Sequence, residues 1–133
     1  LEVRSDALHD VAPGPLGAMA QAVASMGEKK AAPLLAMHLL DPATHPEDLV
    51  SIVTALETLA GDGEREKLRL FFTLNRSASD GDLLAQATAR AGLLLARLSK
   101  GKDADFVEKM RTDSLTSPLV QQKMQELAPA KNK

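Results

Sequence analysis

Apolar residues in this chain return every three or four positions, and each such run is cut by glycine or proline. Leu16, Met19, Val23 and Met26 make one stripe that ends at Gly27. Leu49, Ile52, Val53, Leu56 and Leu59 make a second that ends at Gly61-Asp62-Gly63. Leu83, Leu84, Ala87, Ala91, Leu94 and Leu98 make a third, closed by Lys100-Gly101-Lys102. This spacing lines one side of a helix, so each stripe predicts a helix with one buried face. A shorter apolar segment follows each stripe: Leu34, Leu35, Leu39 and Leu40, then Leu68, Phe71 and Phe72 with Leu70 or Leu74, then Phe106, Val107 and Met110. The stripes start at Leu16, Leu49 and Leu83, an offset of about 33 or 34 that sets Val23 against Leu56 and Met26 against Leu59. One helical hairpin leaves an apolar side that only another hairpin can cover, so the recurrence implies stacking.

Composition narrows the fold further. The chain has 133 residues, 44% of them hydrophobic, enough to bury one core in one domain over residues 1–128. Residues 129–133 are expected to form a frayed tail. Leu and Ala carry most of the apolar content, with three Phe and neither Tyr nor Trp, so helix formers far outweigh strand formers. The predicted fold is all-α, a short right-handed superhelical stack of antiparallel helix pairs. Its units run over about 15–42, 46–77 and 79–112, with terminal helices over 1–11 and 117–127.

The boundary residues predict the caps. Gly27 suits a helix C-terminus, and Pro33 either opens a helix near Ala32 or kinks a longer one. Thr44 and Glu47 have the spacing of a capping box around Pro46. Ser79 with Asp82, and Ser117 with Pro118, read as two further helix starts.

The stretch Ala22 to Pro42 resembles a HEAT-type repeat. A small-residue helix ends in Met26-Gly27 where the family often has Leu-Gly; a charged turn, Ala31-Ala32-Pro33-Leu34-Leu35 and the closing Leu40-Asp41-Pro42 follow. Leu49 to Asn75 is similar, keeping Leu59-Ala60-Gly61-Asp62 and lacking the proline. Asp82 to Met110 matches in helix pattern only. Armadillo and tetratricopeptide-like arrangements are the alternatives, and the absence of Trp and Tyr weighs against the second. The resemblance implies an α-solenoid whose second helices line a concave face and which works by presenting surface.

Several function classes are disfavoured. The absence of Cys removes disulfides, thiol catalysis and a Cys-based zinc site. Sixteen basic against eighteen acidic residues leave a formal charge of −2, unlike the basic footprint of a nucleic-acid binder. The longest apolar stretch, Ala91 to Ala96, is too short to cross a bilayer. His38, Asp41 and His45 have the residue types of a metal cluster, but Pro42 breaks the register that would align them. No Ser occupies a Gly-x-Ser-x-Gly elbow, caps explain Asp80 and Asp82, and a solvated turn explains Asp103 and Asp105. The expectation is therefore no enzyme and no cofactor. The chain begins at Leu1 without signal-peptide regions, which suits a processed protein or an excised domain; a cytoplasmic location is favoured and a periplasmic one stays open.

The strongest candidate surface is basic. Arg65, Arg69 and Thr73 share one helix face, with Arg76 just below and Phe72 along one edge. By the resemblance, Lys29, Lys30, Lys109 and Arg111 belong to neighbouring second helices or their leading turns. Such a strip could hold a protein or acidic peptide through arginine forks. A plain solvated face is the competing account, since Glu64 and Glu66 are interspersed. The alternative functions are a structural segment of a larger solenoid and, further off, a nucleic-acid or phosphate-surface module.

Overall fold

Prolines and glycines fix where the helices start and stop. The computed structural model describes residues 15–78, 81–99 and 103–128. The expected leading helix over residues 1–11, the Ser79 cap, the Lys100-Gly101-Lys102 stop and the tail over 129–133 lie outside the described residues.

Seven α-helices and no strand occur among the described residues. The first helix, α1, spans Pro15–Ser25. Gly27, at φ +67°, closes it. Its N–H reaches the Ala24 carbonyl and the Glu28 N–H reaches the Val23 carbonyl, each at 3.0 Å. That paired geometry is a Schellman cap, which needs a residue free to adopt positive φ. A 3₁₀ turn, Lys29–Ala31, leads into α2, Ala32–Leu39, with Pro33 in its first turn. Helix α3 covers Pro46–Leu59. A second 3₁₀ turn, Asp62–Glu64, leads into α4, Arg65–Asn75. Helix α5 covers Asp82–Ser99, α6 covers Ala104–Arg111, and α7 covers Pro118–Leu127.

One cap differs from expectation. Thr44 does not cap α3; His45 does, and its side chain makes no capping bond. Pro46 is the reason, because a proline at the first helical position holds the residue before it in extended conformation. His45 accordingly sits at ψ 149° and its carbonyl accepts the Leu49 N–H at 2.9 Å. Thr44 is left outside the helix and donates its hydroxyl to the His38 carbonyl at 2.8 Å. Ser117 obeys the same rule before Pro118, and there the side chain does cap, accepting the Val120 N–H at 3.2 Å.

Helices α1, α3, α5 and α7 pack each on the next in that order. Helix α2 packs on α3 and α4, α4 on α5, and α6 on α5 and α7. Helix α5 therefore touches α3, α4, α6 and α7, and it is buried on most sides through Ala85, Ala87, Thr88, Ala89, Ala91, Gly92, Leu94 and Leu95. Small residues let four neighbours approach one helix. Gly92 marks the tightest approach: a Cβ there would lie 2.7 Å from Phe72 Cε1. That space is why Phe72, expected at an edge, is fully buried beside Leu68 and Phe71.

At the first helix the stripe is only partly inward. Gly17 and Ala20 are buried, Leu16 and Val23 are half-buried, and Met19 and Met26 are exposed. Among the described elements α1 packs mainly on α3, with a smaller contact to the Lys29–Ala31 turn, so one narrow side suffices. The Asp48 carboxylate, buried in the first turn of α3, accepts the Gly17 N–H at 3.1 Å and satisfies one of the free donors opening α1.

Candidate functional site

Helix α4 carries the expected basic row, and the fold spends most of it internally. Arg65 Nη1 meets the exposed Asp62 carboxylate at 2.7 Å. Its Nε and Nη2 donate to Asp103 Oδ2 at 3.3 and 3.1 Å. One turn later, Arg69 Nη1 donates to Asp103 Oδ1 at 3.0 Å. Arginines four apart project from one helix face, and one carboxylate with two oxygens can serve both. Asp62, and after it Asp103, hold the Arg65 guanidinium above its ordinary range.

Asp103 is buried, contrary to the solvated turn expected for it. It precedes α6, yet its carboxylate makes no cap on that helix. Its own N–H donates to Ser99 Oγ at 2.9 Å, and the Val107 N–H reaches its carbonyl at 2.9 Å. The carboxylate is thus free to face α4. Phe106 completes the joint: Arg69 Cζ lies 4.0 Å from its ring centroid, and Phe72 meets it edge-on at 6.4 Å. Burial of Phe72 contributes roughly 1.5–3 kcal/mol and the half-exposed cation–π contact about 0.5–1, so packing sets the strength of this joint and the ions set its geometry.

Arg76 does similar work at the other end of α4. It donates to Thr116 Oγ1 at 2.8 Å and faces Asp113 at 3.5 Å, while its carbonyl accepts the Ser117 N–H at 2.8 Å. The Leu115 N–H, with help from the Arg76 charge, holds the Asp113 carboxyl below the usual carboxylate range. Asp105, by contrast, is exposed on α6.

The other expected site residues are dispersed. Thr73 is exposed on α4, and Lys29 and Lys30 are exposed in the turn before α2. Lys109 is exposed on α6, while Arg111 pairs with Glu108 three residues before it. Lys29, Lys30, Lys67 and Lys109 make no ion pair among the described residues. Among those residues, no three His, Asp or Glu are grouped to hold a metal ion.

Sequence reasoning missed an apolar component. Leu34 and Met37 are 49% and 57% exposed on α2, and Leu70 and Leu74 are 46% and 64% exposed on α4, the helix packed beside it. Leu34 had the look of a core residue, and Leu70 or Leu74 of a core option. The signal was an excess: α4 carries Leu68, Leu70, Phe71, Phe72 and Leu74, more apolar positions than one buried stripe can absorb. A cleft of about 390 Å³ adjoins Leu74, bordered by Leu39, Leu40, Pro46, Phe71 and Leu84. Comparison with family models, with curated proteins and with solved structures finds no match to this chain.

Proposed function

We propose that the chain is a non-enzymatic helical-repeat module, a HEAT-like right-handed stack of helix pairs, that binds a protein segment across the solvent side of α2 and α4. The succession α1, α3, α5, α7, each packed on the next, supports the stacked reading. So does the placement of the two 3₁₀ turns, at Lys29–Ala31 and Asp62–Glu64, directly before second helices.

One observation carries the binding assignment: four large apolar side chains, Leu34, Met37, Leu70 and Leu74, stand exposed on two adjacent helices. Scattered single exposures are ordinary, while grouped ones on neighbouring helices favour a contact surface. Lys29 and Lys30 lead into α2 and Lys67 lies in the first turns of α4, so cations that make no ion pair among the described residues belong to the same two helices and their leading turns. The chemistry suits an amphipathic acidic segment, its aliphatic residues on the leucines and its carboxylates toward the lysines. Arg69, half exposed, is the member of the basic row with a side to offer; Arg65 and Arg76 serve the fold.

Selection of displayed amphipathic peptides against the chain tests the assignment. Enrichment for aliphatic residues beside Asp and Glu is expected. The double variant Leu70→Asp, Leu74→Asp should lose the selected peptides while its circular dichroism and melting stay unchanged, because exposed positions alter stability by about 0.5 kcal/mol or less. Peptides that bind this variant as well as the parent would refute the surface.

A further inference from the structure

A second groove lies away from the α2–α4 surface. Helix α5 runs for 18 residues and α7 for 10, and α6 packs against both. Between these three helices a groove of about 930 Å³ opens; half-buried Leu93 and Ala96 of α5, Ala104 of α6 and Leu127 of α7 are its accessible apolar lining, over the buried Leu94, Val107 and Met124. A helix about 10 Å across with a 5.4 Å pitch fills on the order of 400 Å³ per turn, so the space matches about two turns.

The rim charges define the occupant. Arg90 forks onto Glu57 at 3.1 and 2.9 Å, and Arg111 pairs with Glu108, so these four cancel in pairs. Two charges are left. Among the described residues, Arg97 of α5 donates only to the neutral Glu57 carbonyl, at 2.7 Å. Asp105 of α6 makes no hydrogen bond or ion pair among the described residues. Each suits its own helix dipole, Arg97 in a last turn and Asp105 in a first, so neither needs an ion pair among the described residues. Both border the same groove with opposite signs.

We infer that this groove docks an amphipathic helix of a protein partner, one with an aliphatic stripe, an acidic edge toward Arg97 and a basic edge toward Asp105. A helix fits better than an extended peptide, because the walls offer no strand edge to satisfy a peptide backbone over an apolar floor, whereas a helix satisfies its own. The inference stands independently of the α2–α4 surface.

Three labelled synthetic helices of about four turns, sharing one Leu stripe, supply the test. One has an acidic and a basic edge, one has two acidic edges, and one two basic edges. Fluorescence anisotropy should rank the mixed helix tightest, by about five-fold, the scale of one well-placed surface charge pair. Arg97→Glu should move the preference to the basic helix, and Asp105→Lys to the acidic one. Both side chains border solvent, and Arg97→Gln, which drops the charge and keeps a good helix former, should bring the mixed and basic helices level and leave the acidic one weakest. In methyl spectra the mixed helix should shift Met124 and leave Met37 in place, and the Leu70→Asp, Leu74→Asp variant should bind it unchanged. Absence of binding by all three helices, a ranking indifferent to Arg97→Glu and Asp105→Lys, or shifts at Met37 alone would overturn the inference.

Discussion

Helix α4 meets α2 and the start of α6 through different chemistry. Toward α2 the junction is apolar, with Ala32, Leu35, Ala36 and Leu39 as the buried residues of that helix. Toward α6 it is ionic and aromatic, built from Arg65, Arg69, Asp103, Phe72 and Phe106. The α2 residues Ala32 and Ala36 are buried methyls, whereas on α4 Arg65 and Arg69 present guanidinium groups. The methyl junction is strong through exclusion of water and indifferent to direction. The ionic junction adds little net energy and fixes orientation, since two arginines must converge on one carboxylate. Apolar packing thus supplies strength, and the ionic contacts mark where geometry is specified.

The largest effect should come from the aromatic part of the ionic junction. Phe72→Ala removes a fully buried ring and should lower unfolding free energy by about 3–5 kcal/mol in urea titration. Gly92→Ala presses on the same ring from α5 and should cost about 1–3 kcal/mol. A Gly92→Ala protein as stable as the parent would show that the ring has room to move, and the α4–α6 junction would then be looser than its counterpart.

Charge comes next. Asp103→Asn keeps the shape and leaves two arginines without their shared carboxylate; because Arg69 is half exposed and water can replace the partner, the loss should be about 1–2 kcal/mol. The double change Arg65→Glu, Arg69→Glu should lower the melting temperature, because it sets two carboxylates against Asp103. Ala36→Ser, the control at the apolar junction, should show no comparable dependence on salt. Equal salt dependence in the two would erase the contrast.

The smallest effect concerns acid. Asp113 titrates below the usual carboxylate range when folded, so its contribution is present above an unfolded pKa of about 3.9 and is lost as pH falls through the lower folded value. Asp113→Asn should therefore remove a small stabilisation near neutrality, flatten the fall in stability below about pH 4, and leave the protein nearly unchanged at the acid end. An unchanged acid limb would remove Arg76 and Asp113 from the account of how α4 is held to the turn before α7.

Much of the fold was legible. The second stripe, Leu49 through Leu59, is buried as its spacing requires, and Gly27 caps as a glycine at positive φ should. The Arg65–Arg69 row was legible as a shared face. Its use was not, because Asp103 lies 38 residues from Arg65 and nothing local distinguishes it from the exposed Asp105 two positions on. Met19, Met26, Leu34 and Leu74 misled for a related reason: periodicity says that a residue could face a core, and the number of neighbouring helices decides whether one is there.

What the sequence by itself determined is local: helical segments, their breaks and most of their caps, all governed by backbone geometry and side-chain periodicity within a few residues. Tertiary structure alone decided which helix would be surrounded, which aspartate would lose its water, and which leucines would be left facing solvent. Those outcomes depend on surfaces meeting across more than 30 residues of chain, where burial and charge pairing are properties of two elements together.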